Sequence, residues 1–438
     1  MNRLTYLFLM TCGLLSAQKV PLSLKQAVEI ALAPDGNTRT QLATQAIEIT
    51  KTRVAQARAA LLPNIDGSVT GQDFTRNLKA FGISFPSNIP GFPAPGVVGP
   101  IVNFDARLTG TMTVFDFSAW KRLDVAKTGV AASQAEAEST RNSVADLVAR
   151  AYVAALRADS SLEVAKANLT LAESLRKLAL DQKEAGTGTG IEVLRAEVQI
   201  ANERQRQTLL ENEKHRAYLN LARLLNLGLD RELELTDTLA MPDANIPALA
   251  QALGAAQENR KDLSAQALRQ EMAKRNYEAV KWERLPTIQA FGDFGTIGLD
   301  IGSSVATRTY GASLRVPLFD GGRRDARRAE AAISLRQDEL RTQDLKKQVE
   351  LDVRLAHDSI TAAAQQVKVA EEGVELAERE LAQAQRRYAG GVTSNIEVVD
   401  AQTRTERARD NRIMALFQYN QARIDLATSM GAIHRILQ

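Results

Sequence analysis

Cysteine is almost absent from this chain of 438 residues, the single one being Cys12, so a fold stapled by disulfides is excluded. Histidine is nearly as rare. His215, His357 and His434 stand apart on polar stretches with no partner at ligand spacing, and neither a zinc centre nor a histidine general base has the residues it needs. Aromatic residues make up 5% against 24% charged, a balance that suits long helices better than compact cores. A net charge of +3 on this length leaves no electrostatic footprint for nucleic acid. Beyond the first residues, no stretch approaches the roughly 20 apolar residues of a membrane-spanning helix. Phosphate-cradling loops, nucleophile elbows and zinc motifs are missing as well. The AGTGTG segment ending at Gly190 looks like a dinucleotide turn, but it joins helix to helix rather than strand to helix, which removes the reason for its glycines. The pattern calls for no catalysis and no cofactor.

The N-terminus carries Arg3, an apolar run from Leu4 to Leu15 and the small pair Ser16-Ala17. This predicts a secretory signal peptide over residues 1–17. Cys12 lies inside it, and acylation of Cys12 is disfavoured because Thr11 is a poor neighbour and the apolar run ahead of it is short. An exported chain with neither disulfides nor a spanning helix is periplasmic, surface-attached or an outer-membrane barrel.

The most regular stretch runs from Gly321 to Gly390. Val349, Val353, Ala356, Ile360, Ala363, Val367, Ala370, Val374, Ala377, Leu381, Ala384 and Tyr388 recur at alternating steps of four and three. That is an unbroken heptad seam, with one row large and the other Ala from Ala356 on, so that a neighbouring helix can approach closely. A helix of this extent is roughly 100 Å long at about 1.5 Å per residue, and must lie against other long helices. The chain supplies them at Ser118 to Ala185, Ile191 to Leu227 and Ile396 to Met430, with shorter helical stretches at Leu22 to Arg58 and Ala248 to Arg284.

Between helices the period changes to two. Phe104, Ala106, Leu108, Gly110, Met112 and Val114 alternate with Asp105, Arg107, Thr109, Thr111 and Thr113, which predicts a strand with one apolar and one polar face. Asn64 to Phe74, Thr287 to Thr296 and Arg308 to Leu318 are its companions, and the Pro/Gly-rich segment within residues 75–103 reads as a long extracellular loop. The two halves are copies. LLPNI (Leu61 to Ile65) matches RLPTI (Arg284 to Ile288), VFDF (Val114 to Phe117) matches LFDG (Leu318 to Gly321), and GIEVLRAE (Gly190 to Glu197) matches NIEVVDAQ (Asn395 to Gln402). Residues 18–233 form the first repeat, 234–247 a linker and 248–438 the second, each repeat reading helix, two strands and a helical hairpin.

Four strands in one chain cannot close a barrel, and an open edge is not tolerated in lipid. Two chains give eight strands and a filled barrel, whereas three give twelve and leave a lumen, which the polar faces favour. The order and duplication of LPxI, PLFDGG (Pro317 to Gly322), ENRKDL (Glu258 to Leu263), GTGTGIEVLRAE and GGVTSNIEVVDAQ resemble the TolC-like outer membrane efflux proteins over nearly the whole mature chain. The resemblance implies an α+β membrane protein of two repeats, trimeric, with a twelve-stranded β-barrel in the outer membrane and a periplasmic α-helical coiled-coil tunnel. It also implies a passive exit duct for small toxic compounds or secreted polypeptide, docked to a periplasmic adaptor and an inner-membrane pump or a type I secretion transporter. The other reading of the same residues is a periplasmic or surface coiled-coil scaffold whose strands form small sandwiches, against which the alternating strand faces argue.

Thr189-x-x-Glu192 and Ser394-x-x-Glu397 both fit a capping box, in which the acid reaches back to a backbone N–H. Asp400 lies beyond the box, one turn from Glu397, and its counterpart in the first half is Arg195. In the resembled family, acids at the positions of Glu397 and Asp400 ring the narrowest point of the tunnel, a cation-attracting constriction. Tyr388 and Glu192 match positions that hold the entrance shut. Thr393 stands where other members carry an arginine, so the ion-pair half of that lock lacks its usual donor; Arg386, Arg387 and Arg195 are the cations within reach. The turns bearing Gly186, Gly188, Gly190, Gly390, Gly391, Thr393 and Ser394 are the expected adaptor-docking surface, because small residues let another helical tip approach the backbone.

Overall fold

The computed structural model of the chain describes residues 20–83, 97–242 and 246–433. The expected signal peptide with Cys12, most of the Pro/Gly segment and His434 lie outside these. The described chain runs through β1 (Val20–Leu22), α1 (Leu24–Leu32), α2 (Thr38–Ala59), β2 (Asn64–Asn77), β3 (Val97–Phe115), α3 (Phe117–Glu184), α4 (Gly190–Leu224) and β4 (Leu233–Leu235). It continues through α5 (Leu249–Asn259), α6 (Lys261–Lys281), β5 (Thr287–Gly298), β6 (Val305–Arg315), α7 (Arg323–Ala389) and α8 (Asn395–Ser429). The described residues form two compact units, one of 20–46, 134–242, 246–265 and 343–433, the other of 47–83, 97–133 and 266–342. Helices α2, α3, α6 and α7 belong in part to each.

The first unit is helical, and its core follows the heptad rule. Val349, Val353, Ala356, Ile360, Ala363 and Val367 of α7 are all buried against Ala415, Leu416, Tyr419, Ala422 and Leu426 of α8 and Ala252 and Ala256 of α5. Each large aliphatic side chain buried in this way contributes about 1.5–3 kcal/mol, while the alanine row sets how near the helices come. Around residue 150 α3 buries two such rows, Val144, Val148, Ala151 and Ala155 in one and Ala145, Ala149, Tyr152 and Leu156 in the other. Val148, Tyr152 and Ala155 are fully buried there alongside Val144 and Ala151, because α3 is enclosed by α1, α4 and β1 rather than by one partner. The Tyr152 hydroxyl lies 2.8 Å from Leu22 O and 2.8 Å from Asp237 Oδ2, and the Leu24 N–H donates to the same carboxylate oxygen at 2.8 Å. Burial and then Asp237 push the Tyr152 phenol above its ordinary range. Tyr152→Phe is expected to cost about 1–3 kcal/mol, because it strips a charged acceptor of its buried donor; thermal denaturation followed by circular dichroism reads the loss directly.

The linker is not featureless, as its composition implied. β4 pairs in parallel with β1, Val20 to Leu233 and Leu22 to Leu235, a three-residue match too short for periodicity to reveal. The helical stretch expected from Ala248 to Arg284 breaks at Arg260, whose guanidinium holds Asp262 at 2.6 Å and Asp352 at 3.0 Å.

The second unit is built on one antiparallel sheet in the order β2-β3-β5-β6. Registers such as Val69 with Ala106, Leu108 with Phe294 and Ala290 with Ala312 put most apolar residues of the four strands on one face, with Arg308 among them and Phe291 and Ile297 on the other. Asp66, Thr109, Asp293 and Thr309 line up across the other. On that polar face Arg107 bridges to Asp105 at 2.7 Å and to Asp293 on the neighbouring strand at 2.9 Å. Helix α3 packs on α6 nearby, with Phe117 edge-on to Trp282 at 5.1 Å.

Strand boundaries differ from expectation at several ends: β2 runs on to Asn77, β5 to Gly298, and β6 begins at Val305. β3 starts at Val97 rather than Phe104, shortening the loop expected over 75–103, because Val97 and Val98 continue the ladder to Asn77 and Arg76 across a bulge at Phe74/Arg76. β-Branched side chains and satisfied backbone groups outweigh the glycine and proline beside them. β6 spans Val305–Arg315 and stops short of Leu318; Pro317 has no N–H to give to a ladder.

Candidate functional site

The two helical hairpins, α3/α4 and α7/α8, end in turns of one design. Gly186 (φ 77°) and Gly391 (φ 70°) take the left-handed conformation that ends a helix. Thr187 N–H donates to Gln182 O and Gly186 N–H to Lys183 O at 3.0 and 3.1 Å; Val392 and Gly391 do the same to Arg387 and Tyr388, both at 3.0 Å. Of the other small residues, Gly188 is held to its size by packing, since a Cβ there would come within 3.0 Å of Gln182 Cβ, whereas Gly190 faces open space and Gly390 ordinary contact. Gly186, Gly188 and Gly391 are thus explained by the turns themselves.

The capping boxes part company. The Glu192 carboxylate accepts the Thr189 N–H at 2.9 Å as expected. Glu397 does not close its box onto Ser394. Its Oε1 instead binds Arg387 Nη1 at 3.1 Å and its Oε2 accepts the Thr393 hydroxyl. The cause is geometric: α7 brings a cation to the turn at the level of Glu397, and a charge-assisted pair outcompetes a neutral backbone donor. Of the three candidate cations, Arg387 is the one that meets an acid of the turn; Arg386 binds Gln383, and Arg195 is exposed. Asp400 is exposed, with no ion pair among the described residues of its own chain.

Tyr388 is 3% exposed and packs with Leu381, Ala384, Leu175, Val398 and Ala401, as the last seam residue should. Its hydroxyl is buried without a hydrogen-bond partner. Burial first, and then the Glu192 carboxylate, raise the phenol above its ordinary range, so Tyr388 and Glu192 are electrostatic neighbours rather than a hydrogen-bonded pair.

Two features of the tips were not legible as function. Asn395, 2% exposed, donates to Glu192 O at 3.3 Å, and Gln182 donates to Tyr388 O at 3.3 Å, so side-chain amides lace the two hairpins together. Ile191, Leu194 and Val198 form an exposed apolar stripe along the first turns of α4, joined by Val392 and Ile396 at the other tip. Their spacing of three and four was visible in the sequence, but nothing there told an outward stripe from a core one. Among the described residues no group of three or more His, Cys, Asp or Glu side chains is arranged to hold a metal ion.

A two-repeat α+β fold with four amphipathic strands, long helical hairpins and glycine-capped tips defines a TolC-like outer-membrane channel protein. The model of the outer membrane efflux protein family matches residues 36–227 and 252–432, one block in each repeat. The chain belongs to that family, and it resides in the outer membrane with a periplasmic helical extension. Among its relatives, the pyoverdine export outer membrane protein OpmQ of Pseudomonas putida is 25% identical over 75% of this chain and 70% of its own length. The outer membrane protein TolC of Vibrio cholerae is 23% identical over 87% of this chain and 84% of its own. Among solved structures, the CmeC outer membrane channel of Campylobacter jejuni superposes with a TM-score of 0.80 at 17% identity, covering 94% of this chain and 86% of that one. The open state of the MtrE outer membrane channel of Neisseria gonorrhoeae gives 0.76 at 18% identity, covering 94% and 89%.

Proposed function

We propose that three copies of the chain form a passive, water-filled exit duct through the outer membrane. The observation that carries this is the sheet: β2 and β6 each have a neighbour on one side only, and one face of the sheet is apolar. Directions alternate through β2-β3-β5-β6, so β6 of one copy meets β2 of the next antiparallel, and head-to-tail repetition continues the ladder without a mismatch. Closure with three copies removes every edge and leaves a lumen lined by the polar face, including Arg107 and Asp293.

At the tips, Asp400 and Glu397 of three chains stand at the cation-attracting constriction, where Asp400 supplies the uncompensated charge and Glu397, paired to Arg387, fixes the turn, and Tyr388, Glu192 and Arg195 belong to the entrance. The turns at Gly186 to Gly190 and Gly390 to Ser394 dock a periplasmic adaptor, and the stripe of Ile191, Leu194 and Val198 supplies apolar area for helical contact. An inner-membrane pump provides the energy. The cargo is small soluble compounds, the class that the name of the pyoverdine relatives implies for them; secreted polypeptide is the second cargo class.

Purified protein placed in planar lipid is expected to run as a trimer and to open cation-selective pores, and cysteines at Gly188 and Thr393 are expected to crosslink to an adaptor. A monomer without conductance, or crosslinks confined to the middle of the helices, would overturn the reading.

A further inference from the structure

Along the α4/α8 seam, between the tip and the core of the first unit, lies a buried polar layer with no part in the duct as described. Glu203 of α4 is 3% exposed and Glu406 of α8 is 9% exposed. One amide joins them: Gln199 Nε2 donates to Glu203 Oε1 at 2.9 Å and to Glu406 Oε1 at 3.3 Å. Two acids bridged by a single amide group stand within a few ångströms of each other.

The cations that would normally neutralise such a pair are engaged elsewhere. Arg206 on α4 reaches Asp410 on α8, with Nη2 at 2.5 Å from Oδ1. Arg409 on α8 is held by Glu378 on α7 at 2.8 Å and by Asn168 on α3 at 3.3 Å. From its own helix the pair meets Gln402, 1% exposed, whose amide ends have no hydrogen-bond partner. Glu203 Oε2 is likewise buried without a donor. The charge of Arg206 still favours ionisation of both acids, but its guanidinium is bonded to Asp410, and two carboxylates buried side by side repel each other and pay a large desolvation cost.

We propose that Glu203 and Glu406 share one proton and thereby form a pH-dependent clasp between the first-repeat helix α4 and the second-repeat helix α8. The bound hydrogen, taken from water, supplies the donor that Glu203 Oε2 lacks and leaves one negative charge on the pair. Burial, and then the charge of Glu203, push the Glu406 carboxyl up to about 7 from its ordinary 4.5, and burial also raises Glu203. The folded chain therefore binds this proton more tightly than the unfolded chain. The clasp is at full strength below about pH 4.5 and is lost as pH rises through about 7.

Hydrogen exchange on the full-length, detergent-solubilised protein between pH 5 and pH 8 tests this, once the intrinsic rates are divided out. Protection of the amides flanking Glu203 and Glu406 is expected to fall by up to about tenfold per pH unit below the Glu406 midpoint, while amides around Tyr152 keep theirs. Glu406→Gln, which retains a donor without a titratable proton, is expected to abolish the slope, and Glu203→Gln, which removes the neighbouring charge but leaves Glu406 buried, to shift it to lower pH. Infrared difference spectra of the wild type are expected to carry a protonated-carboxyl band at pH 6 that Glu406→Gln lacks. An unchanged slope in both variants, or no such band in the wild type, overturns the clasp. Neither readout depends on pore formation, so failure of the duct reading and failure of the clasp are separable.

Discussion

Asp400→Asn is expected to remove most of the cation selectivity and of the block by multivalent cations, with little change in unitary conductance, whereas Glu397→Gln is expected to raise conductance. The resemblance places both acids at the constriction, and the structure separates them. Glu397 is committed to Arg387 at 3.1 Å and to the Thr393 hydroxyl, so its charge is largely compensated and its role is to fix the α7/α8 turn. Asp400 is exposed and has no such partner among the described residues. A trivalent ion roughly 6 Å from one carboxylate gains about 2 kcal/mol even at the dielectric of water. Loss of Asp400 from each copy should therefore weaken trivalent block by at least on the order of tenfold. Glu397→Gln releases Arg387 and unties the turn, which favours opening. Single-channel recording of both variants at equal ionic strength decides the matter, and an unaltered selectivity in Asp400→Asn would remove Asp400 from the constriction.

The second large effect is expected in the sheet. Gly295 stands in register with Arg107, and a Cβ at Gly295 would come within 2.3 Å of Arg107 Cβ and 2.4 Å of Ala106 O. Backbone atoms cannot yield as a flexible side chain can, so Gly295→Val must part β3 from β5 or shift their register. A slip of one residue would turn every apolar side chain of a strand to the wrong face. The cost belongs to the exceptional class above about 4 kcal/mol, and the expected outcome is loss of heat-sensitive trimers from outer-membrane extracts on unheated gels. Gly71→Ala, at a strand position where a Cβ meets nothing within 4 Å, is the matched control and should assemble normally. Trimers of Gly295→Val at wild-type abundance would show that the β3/β5 ladder tolerates parting.

Regular periodicity was read well because it reports a single face. The seam of α7 from Val349 to Val367 is buried as the heptads required, and Phe104 to Met112 alternate across the sheet as their period of two required. Where a helix has more than one neighbour a single seam understates what is buried, and Tyr152, which anchors Leu22 and Asp237 on α3, lies in a second row beside the first. Strand ends were misplaced where glycine and proline suggested a loop but valine pairs kept the ladder going, as at Val97 and Val98.

The sequence by itself determined the duplication, the helices and strands of each repeat, the two faces of the sheet and the glycine-capped tips. These follow from local rules: spacing, handedness of turns, and the positions at which only glycine fits. The tertiary structure alone decided which acid keeps its charge. Arg387 and Glu397 are ten residues apart on different helices, Gln199 and Glu406 lie in different repeats, and no local rule carries information about which side chain reaches which across a packed seam. Charge pairing and burial depend on distances in space, and those are set only when the hairpins come together.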